Sequence, residues 1–353
     1  MLGMRVVTAG SQRGRRCRES EPDFPASSEG KSFLSATKIL QGDVRAAARL
    51  IRHIDDGDQR VFGELAELYQ HSGKAYVIGF TGSPGVGKST LVDRIVSKFR
   101  EDGKTVGVLA IDPTSPFTGG AILGDRIRMQ KHFLDEGVFI RSMATRGQFG
   151  GLTRSTADAI VVLDAMGKDV IIVETVGVGQ DEVDIVHSAH TTLLVTVPGM
   201  GDDIQAIKAG LMEIGDIFVV NKADREGVTK TLREIRGMLQ MDDQRFQKSG
   251  WMPPVIPTVA LQNEGIDEVY QSIQEHRRHL MENQKELLQK REETRIKNQI
   301  VDLLKETLVA SALQRIGGID SLNATVEDIV ARKTDPYTVS ADLVKKLLGG
   351  NPG

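Results

Sequence analysis

The residues best placed to do chemistry lie in "GSPGVGKST", where Gly82, four spacers, Gly87, Lys88 and Ser89 fit G-x-x-x-x-G-K-[ST]. Gly82, Ser83, Pro84, Gly85, Val86, Gly87, Lys88, Ser89 and Thr90 form one candidate cradle. Glycines let successive backbone N–H groups turn inward around phosphate oxygens. A helix N-terminus just beyond adds its dipole. Lys88 would reach the β- and γ-phosphates, and the Ser89 hydroxyl would take a place on Mg²⁺. The competing reading is a glycine-rich turn with an accidental match. The flanks oppose it, because the apolar run Tyr76–Phe80 reads as a strand and a helix should start near Ser89.

About 130 residues later, "FVVNKAD" ends another apolar run with Asn221, Lys222 and Asp224, an N-K-x-D arrangement. Guanine presents N1–H and N2–H donors where adenine does not, and a carboxylate accepting both selects it. Asp224 would take these donors. Asn221 would brace the loop and contact the base, and Lys222 would lie along the ring face. Asn and Asp also favour ordinary turns, so position after a phosphate loop carries the argument. "TVALQNEGI" would supply the Ala260 N–H to guanine O6.

"VIIVETVGVGQDEVD" ends a buried run at Glu174 and loosens at Gly177 and Gly179. A carboxylate on the strand beside the phosphate loop reaches Mg²⁺ directly or through water. The extra methylene of Glu spans a wider gap than Asp would. Gly177 would offer its N–H to the γ-phosphate and let the segment relax after hydrolysis. A surface Glu after a buried strand is the plainer alternative. Asp112 and Asp125 in "AIDPTSPFTGGAILGDRIRM" are further candidates for the metal or its waters. Mg²⁺ uses only one or two direct carboxylates. Of Asp112, Asp125 and Glu174, at least one must therefore act beyond the metal's own ligands or on the attacking water.

These residues need a scaffold that brings strand ends together. Seven short apolar runs, "YVIGF", "VGVLAID", "VFI", "VIIVE", "TLLVTV", "IFVVN" and "VIPTVA", alternate with amphipathic stretches between residues 75 and 262. That pattern predicts an α/β fold, a mostly parallel sheet with helices on both faces. Residues 33–74 read as a helical leader, with Val44, Ala48 and Ile51 on one face and Val61, Leu65 and Leu68 on another. The expected organisation is a disordered extension over 1–32, the leader over 33–74, the nucleotide domain over 75–280 and a helical arm over 281–353. Along the arm Ile296, Ile300, Leu303 and Thr307 trace a stripe. It either covers the core as a solvated helix or buries the stripe against a second subunit.

Bulk properties fit this plan. The chain has 353 residues, 40% hydrophobic, and a formal charge of -3, which gives no field argument for nucleic acid or membrane. A single cysteine, Cys17, excludes a disulfide framework and a cysteine metal cluster. The basic N-terminus lacks the apolar core of a secretory signal. It reads as a bacterial cytoplasmic extension, with a mitochondrial matrix address as the alternative.

Taken in order, "GSPGVGKST", "AIDPTSPFTGGAILGDRIRM", "TRGQFGGLTRST", "VETVGVGQDEVD", "GDDIQAIKAGLMEIGDI" and "NKAD" closely resemble the MeaB/ArgK-type GTPases, over roughly residues 33–310. The human counterparts are the methylmalonic aciduria type A protein family. The resemblance implies a P-loop NTPase fold of the SIMIBI kind with a C-terminal dimerisation arm. It implies a homodimer binding GTP/GDP and Mg²⁺ and hydrolysing GTP to GDP and phosphate. The implied partner is an adenosylcobalamin-dependent acyl-CoA mutase, methylmalonyl-CoA mutase or a relative, whose cofactor loading the protein gates and which it protects. Lys208 matches the lysine of an additional switch segment. Brought to the γ-phosphate by the docked partner, it would act as a trans-supplied arginine finger does. Without the resemblance it reads as an exposed helix lysine. Lys88, Asp125, Glu174 and Lys208 are thus the catalytic candidates. Arg146 is a weaker one, for a partner contact.

No D-x-H-x-x-G cobalamin motif is present, so the corrinoid should belong to the partner. His187 and His190 could share a helix face, but the seven histidines are otherwise scattered. Two rivals remain. One is an ArgK-like phosphotransferase using GTP or ATP on a protein acceptor, for which no acceptor motif is evident. The other is a nucleotide-gated scaffold without catalysis.

Overall fold

The computed structural model describes residues 36–113, 129–145, 151–175, 189–199, 215–241, 246 and 249–348. The chain divides into Met1–Phe33 and Leu34–Gly353, and every described residue belongs to the second unit. The sequence from residue 76 lays down β1 (Tyr76–Thr81), β2 (Val106–Pro113), β3 (Val138–Thr145), β4 (Val170–Thr175), β5 (Thr191–Thr196), β6 (Ile217–Asn221) and β7 (Val255–Thr258). All pair in parallel, in the order β3-β2-β4-β1-β5-β6-β7. Both faces of the central strands are covered, so β1, β4, β5 and β6 are buried throughout rather than alternating. The chain leaves β1, skips a place to β2, returns as β4 between them and then crosses to β5. The strand order therefore reverses around β1, where α/β sheets bind ligands at their carboxyl ends.

Helices follow the strands. α4 (Lys88–Glu101) buries Leu91, Val92, Ile95, Val96 and Phe99 against one face, joined there by the helix Ile266–Asn283 (α7). Each such fully buried side chain contributes about 1.5–3 kcal/mol. The other face carries α5 (Gly151–Ala165) and the leader helices α1 (Ala36–Leu40), α2 (Val44–Asp55) and α3 (Phe62–Tyr69). The helix Val228–Met241 (α6) packs Ile235 and Leu239 on Leu194, Phe218 and Val220. Leu194 has the opposite parity to Leu193 and Val195, which face α4, so α6 lies on the α5 side.

The leader is helical, and Val61, Leu65 and Leu68 pack on the core as expected, but the buried face of α2 differs from the expectation. α2 buries Ala46, Ala47, Leu50, Ile51 and Ile54, while Val44 is exposed. Asp43 caps this helix, its Oδ1 accepting from Arg45 N and Ala46 N, so Val44 sits in the first turn, off the packed stripe. Beyond Gln284 the 31-residue α8 (Lys285–Arg315) runs on, followed by α9 (Asn323–Val330) and α10 (Pro336–Leu348). On α8 the expected stripe is split. Ile296 and Leu303 are half-buried, whereas Ile300, at 58% exposure, and Thr307 face outward. Gln299 joins the inner side by donating to Asp158 of α5 at 3.4 Å.

Candidate functional site

The phosphate loop follows from β1 ending beneath α4. Gly82 has φ 136°, and a Cβ there would collide with the Val195 carbonyl of β5. Gly87 has φ 96°, and a Cβ would strike the Asn221 carboxamide. Both positions exclude any other residue. α4 starts at Lys88 directly after Gly87, which has no side chain to cap it, and a helix N-terminus entered through glycine suits an anion. Lys88 is 5% exposed and folds back along the loop. Its Nζ donates to the Gly82 carbonyl and, at 2.9 Å, to the Ser83 carbonyl. The ammonium is thus held inside the cradle formed by residues 82–90.

Glu174 ends β4 in register with Phe80 of β1 and Ala110 of β2. Val170 and Ile172, its same-parity neighbours, face α4, so Glu174 does too. The consequence is direct. Ser89 Oγ donates to Glu174 Oε1 at 2.6 Å, with both residues buried. Asp112 lies in β2, in register with Ala144. Two residues before it stands Ala110, the register partner of Glu174, so the two acidic positions occupy neighbouring strand ends.

Base-side residues come from β6 and β7. Asn221 is 3% exposed, and its carboxamide makes three hydrogen bonds within the protein. Nδ2 donates to the Val86 carbonyl at 2.8 Å, while Oδ1 accepts from Thr258 Oγ1 and Ala260 N, each at 3.1 Å. One carboxamide therefore ties the phosphate loop to the loop after β7. Lys222 adopts φ 56°, and its Nζ donates to the Gly85 carbonyl at 2.6 Å. Asp224 is exposed at one end of a groove of about 500 Å³ that also touches Thr258, Glu264 and Glu268. This acidic lining suits N–H donors and not phosphate. The Ala260 N–H, expected to face a base, is engaged by Asn221 here.

One carboxylate of α4 has a shifted acidity. Burial pushes Asp93 up, but hydrogen bonds from His132 and Lys131, with their charges, outweigh it and hold the carboxyl below the usual range. Lys131 Nζ lies 2.7 Å from Asp93 Oδ2. This pair attaches the chain at residues 129–132 to the phosphate-loop helix.

Asp125, Arg146, Gly177, His187 and Lys208 lie outside the described residues, as do Cys17 and residues 1–32. His190 stacks on Tyr76, and its Nδ1 accepts the Val77 N–H at 2.9 Å, far from the phosphate loop at the opposite end of β1. Among the described residues no three His, Cys, Asp or Glu side chains converge as a metal centre. None of their helices is long and apolar enough to cross a membrane. The sequence motifs give Thr258 no role of its own. It is recognisable there only as the last polar residue of β7, at the register partner of Asn221.

Comparison with known proteins agrees with this geometry. Residues 52–316 match the family model described as methylmalonyl-CoA mutase-associated GTPase MeaB. A Pyrococcus abyssi protein named as a GTPase is 49% identical over 315 residues, covering 89% of this chain and 96% of that one. The GTPase ArgK of Escherichia coli is 37% identical over 211 residues, 59% of this chain and 63% of its own. A Caenorhabditis elegans protein named methylmalonic aciduria type A homolog, mitochondrial, is 36% identical over 220 residues, 61% of this chain and 55% of its own. The crystal structure of a LAO/AO transport system kinase superposes with a TM-score of 0.57 at 23% identity, covering 88% of this chain and 96% of that one, a likeness of fold. A parallel sheet with an uncapped glycine loop, a buried lysine and an N-K-x-D strand end, matched over most of its length by that model, places the chain in the MeaB family of P-loop GTPases.

Proposed function

We propose that the chain binds and hydrolyses GTP and, as a homodimer, serves as chaperone to an adenosylcobalamin-dependent acyl-CoA mutase, methylmalonyl-CoA mutase or a relative. In this reading it gates cofactor loading and protects the mutase in the cytoplasm. The observation that carries the nucleotide half is the Asn221 carboxamide. It fixes the span between the phosphate cradle and the loop after β7 through three hydrogen bonds. A span fixed in this way is what recognition of a whole purine nucleotide requires. The mutase half is supported by the family and its relatives.

Within that proposal, Lys88 places its ammonium on the β- and γ-phosphates, and the N–H groups from Gly82 to Thr90 surround them. Asp224 accepts the guanine N1–H and N2–H, with Asn221, Lys222 and Ala260 framing the ring. Ser89 and Glu174 suit Mg²⁺. Their oxygens stand 2.6 Å apart, near the edge of about 2.9 Å in an octahedron of Mg²⁺ ligands. A hydroxyl and one carboxylate also match the few protein ligands that Mg²⁺ takes beside phosphate. When bound, the ion neutralises charge gathering on the terminal phosphoryl. Asp112 and Asp125 are proposed to orient metal-bound or attacking water, Gly177 to sense the γ-phosphate, and Lys208 to complete the site when the mutase docks.

The second subunit is proposed to cover α8. Ile300, Leu304 and Leu308 repeat every four residues and are 58%, 57% and 59% exposed. Such a helical apolar stripe fits a second copy of the arm.

The test is GTP hydrolysis with and without purified mutase. Acceleration by the mutase, with free phosphate as sole product and with the acceleration lost in Lys208→Ala, is the expected result. Label appearing on a protein acceptor would favour a phosphotransferase. An unchanged rate in all cases would favour a scaffold.

A further inference from the structure

The loop after β7 buries its first residues, Val259 and Ala260, but its tip has little packing of its own. Leu261 is 78% exposed, and Gln262, Asn263 and Glu264 are exposed too. Its backbone is nevertheless specific. Asn263 has φ 64°, and Gly265 has φ 72°, where a Cβ would collide with the Pro257 carbonyl. Val259 and Glu264 close the loop as an isolated bridge. Polar ties from neighbouring elements add to these local bonds.

Two such ties meet at Ala260. Asn221 holds its N–H. Its carbonyl accepts from Nε of Arg94 at 3.1 Å, and Nη2 of Arg94 reaches the Leu261 carbonyl at 3.4 Å. Arg94 stands on α4, five positions past Ser89, so the guanidinium fork links the base loop to the helix whose start holds phosphate. The next turn repeats the link, with Lys98 Nζ on Asp267 of α7 at 2.7 Å and Phe99 edge-on to Tyr270. Arg94 is half-buried, and its guanidinium donates to the Ala260 and Leu261 carbonyls.

We infer that Arg94 is a positioning residue for base selection, holding the 259–262 loop beside the purine O6. The inference rests on the guanine reading proposed above. It assigns O6 recognition to a tie from the phosphate-loop helix, separate from the Asp224 carboxylate that reads N1–H and N2–H.

Three nucleotides separate these contacts. GTP has O6, N1–H and the N2 amine, ITP keeps O6 and N1–H without the amine, and 2-aminopurine riboside triphosphate keeps the amine but lacks O6 and, with it, the N1–H, so each nucleotide is compared with its own binding to wild type. Binding of each to wild type, Arg94→Ala and Arg94→Lys is measured with Mg²⁺, beside GTP turnover and thermal unfolding. Arg94→Ala should weaken GTP and ITP by the same factor, about five- to thirtyfold as for one hydrogen bond in a specific site. 2-Aminopurine riboside triphosphate should bind it as it binds wild type. kcat at saturating GTP should hold, and Arg94→Lys should recover part of the loss. A uniform loss over all three nucleotides, or no loss, overturns the role of Arg94. A wild type that does not distinguish GTP from ATP overturns the guanine reading instead, so the two failures are distinct.

Discussion

Replacing Asn221 with Ala tests whether one carboxamide joins the two halves of the nucleotide site. The change strands the Val86 carbonyl and the Ala260 N–H, in residues 0% and 2% exposed. Each buried backbone group left without a partner costs about 1–3 kcal/mol. The Thr258 hydroxyl, which loses its acceptor, can rotate and adds little. The expected loss is therefore about 2–5 kcal/mol, a large part of a typical domain's stability. Urea unfolding of the nucleotide-free protein should show it as a lower midpoint with an unchanged slope. Thr258→Val removes one donor but leaves Asn221 Oδ1 its bond from Ala260 N, so about 1 kcal/mol should go. Should Asn221→Ala fail to fold, Asn221→Asp keeps the acceptor for Thr258 and Ala260, loses the donor to Val86, and should fall between the two. GTP should also stabilise Asn221→Asp less than wild type at equal concentration, as linkage requires for weaker binding. The reasoning fails if Asn221→Ala loses under about 0.5 kcal/mol, less than one net hydrogen bond, or if Thr258→Val proves the more damaging.

Three further outcomes follow from particular groups. Asp224→Asn should erode the preference for GTP over ATP by about 2–4 kcal/mol, because a polar base edge then meets an unmatched partner; competition binding reads this, and an unchanged preference removes Asp224 from base selection. Burial pushes the Asp158 carboxyl up from 3.8 to about 6, against the opposing pull of Arg154 and Gln299. The folded state thus holds this proton more tightly than the unfolded one, so the contribution of Asp158 to stability is fully present below about pH 4 and about 3 kcal/mol of it is lost as pH rises through about 6; Asp158→Asn should remove that component of the unfolding profile, and a profile equal to wild type would contradict the assignment. Leu304→Glu with Leu308→Glu should shift sedimentation from dimer to monomer while GTP binding persists, and an unaltered oligomer would place the interface elsewhere.

The strands were legible because burial on two faces writes itself as unbroken apolar runs, and all seven expected strands are present. Edges were harder. The run "VFI" marked only the start of β3, which continues through half-buried Arg141 and Ser142, since an edge strand need not be apolar on both sides. "VIPTVA" ran past β7, which stops at Thr258 so that Ala260 can turn its N–H to Asn221. The face of α2 slipped because alanines and an isolated valine mark a stripe weakly, whereas Val61, Leu65 and Leu68 marked theirs. The glycine loop and the N-K-x-D strand end were visible as local motifs. Ties across long separations were not. Arg94 to Ala260 spans 166 positions. Asp164 accepts from the Gly73, Lys74 and Ala75 N–H groups about ninety positions away, holding the turn that leads into β1. Such contacts are set by the order of strands in the sheet, which no local spacing encodes.

The most direct test of the account is calorimetric titration of GTP with Mg²⁺ into the folded protein, beside ATP and beside Lys88→Ala. One saturable site per chain for GTP, much weaker heat for ATP, and a loss of about 3 kcal/mol or more in the lysine variant, where a charge-assisted phosphate contact is gone, is the predicted result. No heat from GTP in the wild-type chain would contradict it.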